Sequence, residues 1–366
     1  MNILHLNSNY HRSTIYKNMK LAFVNNLSDH GKVYFPILLS SNVAKNNNED
    51  FLDVRRIIKK KDLVFLNTRS KKILKDISQF YDLNNFDFVL AYSLFSNGNV
   101  AYMLNKKFKL PYYVIVQNTD VNFHFKKIPF AKKRGNIILE NAKKVIFISE
   151  SYKENVIEQY VEKKDLIYNK SVVIPFGIDD FWKKNINKIP KKINKNNINL
   201  LYVGKITKNK NILTVCKVAE RLLKDGVKLK LTVVGTPINK KIYKKIKSYE
   251  FVNFIPFIKD KNELLSIYRS NDIFIMPSFY ESFGLVYAEA MSQGLPVIYT
   301  KGQGFDKQFS DGVVGYSVNP KNIEDIKEKI ADIINNYETI SNNCLNYVNK
   351  FFWENISSYY KNLFEE

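Results

Sequence analysis

Asp272-Ile-Phe-Ile-Met276, then Pro277-Ser-Phe-Tyr-Glu281-Ser-Phe-Gly284, then Leu285-Val-Tyr-Ala-Glu289-Ala-Met-Ser-Gln293 read in succession as strand, loop and helix. The first run has the length of a strand, and elsewhere Asp62-Leu-Val-Phe-Leu-Asn67 and Lys144-Val-Ile-Phe-Ile-Ser149 are continuous apolar runs, as in strands covered on both faces. Gly294 followed by Pro296 stops the helix. Strand-to-helix units of this kind build parallel sheets that hold ligands beyond the carboxyl ends of their strands.

The same rhythm extends in both directions. Strands are expected at 199–203, 229–234, 252–257, 272–276, 296–300 and 313–318, with helices at 209–225, 238–249, 260–270, 284–293 and 322–336. Upstream, strands are expected at 2–7, 32–39, 62–67, 86–92, 111–117, 144–149 and 172–175, with helices at 13–29, 69–81, 97–108, 128–142 and 150–161. Between the two series, 183–197 is Lys/Asn-rich and broken by Pro190, which reads as an exposed linker. The fold class expected is α/β, two doubly wound Rossmann-like domains facing across a cleft: 1–182, the linker 183–197, and 198–346.

A chain of 366 residues with 45% hydrophobic, 14% aromatic and 25% charged side chains can bury two sizeable cores. That excludes a disordered chain and a small stapled module. The net charge of +22 is spread evenly over both halves, with local excesses at 53–75 and at 106–134, where eight basic residues face Asp120 alone. No RRM, KH or zinc-finger pattern accompanies the charge, so nucleic acid is not expected as a partner. Cys216 and Cys344 lack disulfide or thiolate-metal spacing, and no Asp-x-Asp, HExxH or Cys/His pattern points to a metal. The N-terminus lacks a signal-peptide pattern and no run approaches the ~18 apolar residues of a spanning helix, so a cytoplasmic location is expected.

Three strand-end loops in the second half carry chemistry. Gly204-Lys205-Ile-Thr-Lys208-Asn-Lys210 places a close-approach glycine and mobile ammonium groups ahead of a helix, which suits a diphosphate. Its alternative is a solvated Lys-rich turn. In the second loop, free N–H groups at the helix start near Gly284 favour an anion. Glu281 and Glu289, ~12 Å apart if all the intervening span is helix, suit the hydroxyls of one elongated ligand. Their alternatives are a helix-dipole partner for Glu281 and an exposed helix face for Glu289. The third loop, Gly302-Gln-Gly304-Phe-Asp306, lacks the third glycine and the later acid of a dinucleotide fingerprint.

Gly204-Lys205 with Lys210, Val233-Val-Gly235, Met276-Pro-Ser-Phe-Tyr-Glu281 through Glu289-Ala-Met, and Gly294-Leu-Pro-Val297 resemble the C-terminal half of glycosyltransferase family 4, with its Glu-x7-Glu signature. Val173-Ile-Pro-Phe-Gly-Ile-Asp179 resembles that family's strand end before the linker. Phe352-Trp-Glu354 resembles the start of its final helix, here 347–366, which folds back on the first domain. The resemblance implies a GT-B fold and metal-independent, retaining transfer of a hexose from a nucleotide diphosphate-sugar, as in bacterial polysaccharide biosynthesis (capsule or lipopolysaccharide). It implies that Gly204, Lys205 and Lys210 hold the donor diphosphate, that Glu289 holds the ribose, and that Glu281 lies near the donor sugar. The N–H groups of Phe283, Gly284 and Leu285 then face sugar and phosphate.

The donor expected is a UDP-sugar first of all, used as substrate with no further cofactor. The acceptor expected is a glycan or an undecaprenyl-linked hydroxyl. The first half departs from the family: Asn7-Ser-Asn-Tyr-His11 replaces a Gly-Gly turn, and Gln117-Asn118-Thr119-Asp120 replaces His-Gly-x-Asp. His11, Asp120 and His124 are the acceptor-side candidates. Ile128, Phe130, Ile137 and Ile138 beside Lys132, Lys133 and Arg134 suggest a peripheral contact with an anionic membrane. A non-catalytic GT-B partner or glycan-binding protein is the competing reading.

Overall fold

The computed structural model describes residues 1–10, 14–41, 49–63 and 65–366. It divides into two compact units: Met1–Ile148 with Tyr152–Pro175 and Ile356–Glu366, and Ser149–Ser151 with Phe176–Asn355.

The first unit holds β1 (Ile3–Leu6), β2 (Val33–Leu38), β3 (Leu52–Ile58), β4 (Phe88–Ala91), β5 (Tyr112–Val116), β6 (Lys144–Phe147) and β7 (Ser171–Val173). They pair in parallel in the order β3-β2-β1-β4-β5-β6-β7. Every residue of β4 and β5 is buried, which is why both read as unbroken apolar runs. Strand order reverses between β1 and β4, and a crevice opens there beyond the strand ends. Tyr360 and Phe364 of the last helix pack within this unit, against Phe23, Phe88 and Tyr113.

A charged group lies inside this core. Asp29 accepts from His5 Nε2 and from Lys20 Nζ, each at 2.6 Å, and all three side chains are fully buried. The other Asp29 oxygen takes the N–H groups of Gly31 (2.9 Å) and Ile3 (3.3 Å), and the Tyr92 hydroxyl donates to His5 Nδ1 at 3.0 Å. A buried ion pair is tolerated when its lone pairs are used in this way. Burial is the largest influence on His5 and lowers its pKa, so the imidazole stays neutral and the group as a whole carries no net charge.

One expected strand is absent. Lys60–Leu63 forms a 3₁₀ turn and the helix Leu66–Phe80 follows, while the third strand is Leu52–Ile58. The Asp62 carboxylate accepts the Lys59 N–H and pairs with Lys72, both at 2.7 Å, which curls the chain at the start of the apolar run.

The second unit holds β8 (Ile198–Val203), β9 (Leu229–Val234), β10 (Val252–Ile255), β11 (Ile273–Ile275), β12 (Val297–Thr300) and β13 (Gly315–Val318), parallel in the order β10-β9-β8-β11-β12-β13. Its switch point lies between β8 and β11. The division between units falls after Pro175 rather than at 182. A short helix, Asp180–Lys184, is capped by the Asp179 carboxylate and buries Trp182 against Tyr268, ring centroids 5.3 Å apart. The segment expected to be an exposed linker, 183–197, buries none of its residues and is fastened to the same unit. The Lys191 N–H donates to Ser341 Oγ at 2.9 Å, and its ammonium donates to the carbonyls of Arg269 and Asn271.

Candidate functional site

The loops after β8 and β11 meet at the second unit's switch point because Asn209 and Asn211 bind them together. The Asn209 amide donates to Tyr280 O (2.9 Å) and its side-chain oxygen accepts from Tyr280 N–H (3.0 Å). Asn211 Nδ2 donates to the carbonyls of Pro277 and Pro320, at 3.0 and 2.7 Å. Those ties bring the Lys210 ammonium onto the Glu281 carboxylate as a half-buried ion pair.

The loop after β12 braces the same turn. Gly304 N–H donates to Glu281 O (2.8 Å), and Gln303 Oε1 accepts from Glu281 N–H (3.0 Å). The Gly302–Asp306 cluster is thus a bracket behind Glu281. Gly284 has φ +81°, which a glycine adopts without strain, and it opens the helix Leu285–Ser292. Among the described residues no backbone acceptor serves the N–H groups of Phe283, Gly284 or Leu285. These donors and the positive end of the helix therefore remain for an anion.

A cavity of about 420 Å³ adjoins this turn, lined by Gly204, Lys205, Gly235, Thr236, Phe257 and Val286 among others. A Cβ on Gly235 would lie 1.9 Å from Gly204 O, so the backbone after β8 and the backbone after β9 approach this closely because residue 235 is a glycine. Phe257 stands at this cavity with 69% of its surface exposed. A flat ring on a mostly aliphatic wall, with Lys205 on the same wall, suits a heterocycle joined to an anionic group. Phe257, Thr236 and Val286 were not among the sequence candidates, since the wall is assembled from three separate loops.

Glu289 is half-buried in the helix Leu285–Ser292. Tyr268 Oη donates to it at 3.1 Å and the Trp182 indole also donates. Protein groups, rather than a ligand alone, therefore satisfy part of this carboxylate. Its remaining lone pairs can accept hydroxyls. Burial pushes its pKa up to about 7, with Asp179 adding to the rise and Lys261 opposing it.

In the first unit, His11 lies outside the described residues. Asp120 is buried, and its carboxylate accepts the N–H groups of Leu94 (2.9 Å), Phe95 (3.2 Å) and Gln117 (2.9 Å). It ties together the loops after β4 and β5. His124 stacks on Phe95 at 4.7 Å, with Nδ1 donating to Thr119 O at 3.1 Å. It lines a cavity of about 380 Å³ shared with Ser8, Arg69, Ser96, Thr119 and Phe123. Two amide groups that sequence reading left without a role are buried with no partner among the described residues, Asn7 Nδ2 and Gln117 Nε2. Both sit at carboxyl strand ends where this chain departs from the family pattern, and Gln117 Oε1 accepts from Tyr16 at 3.0 Å.

Residues 183–350 match the family model of glycosyl transferases group 1. Over 242 residues the chain is 31% identical to the capsular polysaccharide biosynthesis glycosyltransferase CapM of Staphylococcus aureus, covering 61% of this chain and 62% of that one. It is 28% identical over 325 residues to a probable sucrose-phosphate synthase of Thermosipho melanesiensis, covering 80% and 73%. The chain therefore spans somewhat under two thirds of the first of these relatives and more of the second. The fold is shared with sucrose-phosphate synthase from Thermosynechococcus elongatus, at TM-score 0.74 and 18% identity over 100% of this chain and 98% of that one. It is also shared with Anabaena HepE in complex with UDP, at TM-score 0.75 and 15% identity over the full length of both. The expected pair of Rossmann-like units is thus the architecture present.

Proposed function

We propose that this chain is a retaining, metal-independent hexosyltransferase of family 4. It moves a sugar from a nucleotide diphosphate-sugar to a hydroxyl of a glycan or undecaprenyl-linked acceptor, in bacterial surface polysaccharide synthesis. The observation that carries the reading is the second unit's switch point. Unclaimed helix N–H groups, the Lys210–Glu281 pair and a Lys205-edged apolar cavity adjoin one another there. UDP bound in HepE and the capsular role named for CapM support UDP as the donor base and capsule as the pathway. No described helix is long and apolar enough to cross a membrane. A cytoplasmic enzyme, peripheral at the membrane, remains the expectation.

In this reading the anomeric carbon–oxygen bond to the diphosphate breaks and the acceptor oxygen bonds to the same face of the sugar. The acceptor proton passes to the leaving phosphate oxygen. Negative charge grows on the diphosphate, where Lys210 and the Phe283–Leu285 amides oppose it at no reorganisation cost and the exposed Lys205 adds a mobile positive charge at the cavity edge. Glu281 holds Lys210 in place and accepts a donor-sugar hydroxyl.

A thermal-shift screen of UDP-, GDP-, ADP- and CMP-sugars tests the donor. A ligand at 100 times its Kd adds ~2.7 kcal/mol of stability. One base class should raise Tm and support turnover. No shift with any of the four sinks the proposal, and a shift without transfer or hydrolysis favours the non-catalytic reading.

Glu289 gives a separate pH prediction. The ionised carboxylate accepts ribose hydroxyls better than the neutral acid, so nucleotide affinity should rise as pH passes upward through about 7. Glu289→Gln should flatten that profile and weaken binding about tenfold at pH 8, the size of a hydrogen bond to a charged group. Calorimetric titration with UDP at pH 6, 7 and 8 reads both.

A further inference from the structure

The chain between the π-helical turn Asp120–Phe125 and the helix Ala131–Asn141 runs Lys126-Lys-Ile-Pro-Phe130, and all five residues are exposed. Phe130 is 87% exposed at φ +63°, a conformation that a bulky side chain adopts rarely and at a cost. Ile128 is 42% and Phe123 48% exposed. The base of this tip is firm. Phe125 stacks on Tyr160 at 4.6 Å and lies so close to Gly135 that a Cβ there would approach it within 2.8 Å.

The structure narrows the expected membrane-facing residues. Ile138 is fully buried in the core and Ile137 half-buried. Arg134 is held over the Tyr102 ring at 4.8 Å, with its Nε donating to Asn99. What remains is a compact apolar wedge, Ile128-Pro129-Phe130, ringed by the exposed Lys126, Lys127, Lys132 and Lys133. No acidic residue occurs between 121 and 139.

We infer that this tip docks the first unit on an anionic phospholipid bilayer, with Phe130 and Ile128 entering the acyl boundary and the four lysines at the headgroup level. Charge complementarity selects the partner. Apolar insertion alone would suit any bilayer, whereas cations at the rim of the wedge add attraction only to anionic lipid. Phe123 belongs both to this surface and to the cavity shared by Arg69 and His124. Docking would therefore bring that cavity close to the bilayer, where a lipid-linked acceptor resides. That last clause rests on the glycosyl-transfer reading, while the docking rests on the surface alone.

The test is co-sedimentation of the full chain, without donor or acceptor, with phosphatidylcholine vesicles and with vesicles containing phosphatidylglycerol. Binding should require phosphatidylglycerol and fall in 0.5 M salt. Phe130→Asp should weaken it at least tenfold, and the pair Lys132→Glu with Lys133→Glu by about fivefold or more for each lysine. A matched pair, Lys240→Glu with Lys241→Glu on the exposed face of Lys240–Lys247 in the other unit, should leave binding near wild type. Thermal melts should show all three variants folded. Binding equal on both vesicle types, unchanged by Phe130→Asp, or lost equally in the control pair overturns the assignment.

Discussion

Lys210→Ala should lower kcat by about a hundredfold to a thousandfold in protein that remains folded, the cost of removing one preorganised charge donor from a developing anion. The residue is placed for that task. Its ammonium is half-buried against Glu281, and Asn209, one position earlier, fastens its loop to Tyr280 independently of the side chain. The loop should therefore keep its course in the variant. Glu281, only 9% exposed, would lose its ionic partner, so the stability loss should be about 1–3 kcal/mol.

Lys205 offers a contrast within the same loop. It is exposed at the edge of the cavity, so a mobile, hydrated ammonium is lost and Lys205→Ala should cost only about tenfold. Lys210→Arg keeps the charge and should recover part of the activity. A purely structural Lys210–Glu281 pair would lower Tm and leave kcat unchanged. Turnover within threefold of wild type in Lys210→Ala would remove the residue from the mechanism.

The parts of the fold that sequence reading located were those where burial on both faces leaves no ambiguity. β4, β5, β11 and β12 are wholly buried, and of the two continuous apolar runs, 144–149 holds β6 with Val145, Ile146 and Phe147 buried. The reading failed at 62–67 for a physical reason. That run opens a helix, whereas the real edge strand, Leu52–Ile58, carries Asp53 and Arg55, whose charges hide its period. Arg55 pairs with Asp76 of the following helix at 2.9 Å, so charges that argue against a strand are what hold this one. At 183–197 polar composition indicates exposure, which the structure has, while the hydrogen bonds of Lys191 to backbone carbonyls are not visible in composition.

The candidate site divides the same way. Gly204, Lys205, Lys210, Glu281 and Glu289 were legible because each stands in or after a loop that follows a strand of the second sheet. Trp182 and Tyr268, which donate to Glu289, lie 107 and 21 residues away from it in the chain, and no local pattern links them. Asp120 was legible as a special residue, but its three N–H partners place it as a tie between loops. The unpartnered amides of Asn7 and Gln117 stand at the very departures that sequence comparison could only mark as unlike the family.

Gly304→Ala should disable the enzyme at a residue that touches no ligand in the proposed reaction. A Cβ on Gly304 would stand 2.2 Å from the backbone carbon and oxygen of Ser282 and 2.4 Å from Phe283 N. Real Cβ contacts are never that short, and the obstacle is backbone, which cannot turn aside as a long side chain would. The segment that must move carries Glu281 at one end and the Phe283–Leu285 amides at the other. A misplacement of about 1 Å in such a constellation costs about a hundredfold in rate. The Gly304 N–H bond to Glu281 O would be strained by the same shift. Stability should fall by about 1–3 kcal/mol, the usual range for an overpacked site. Gly302→Ala separates the two glycines of this cluster. Gly302 has φ +75° with open space around its Cβ position, so its substitution incurs only the modest cost of that backbone conformation. Steady-state kinetics with thermal melts on both variants should show Gly302→Ala within a few fold of wild type and Gly304→Ala at least a hundredfold slower. Equal activities would mean that the loop after β12 does not set the position of Glu281.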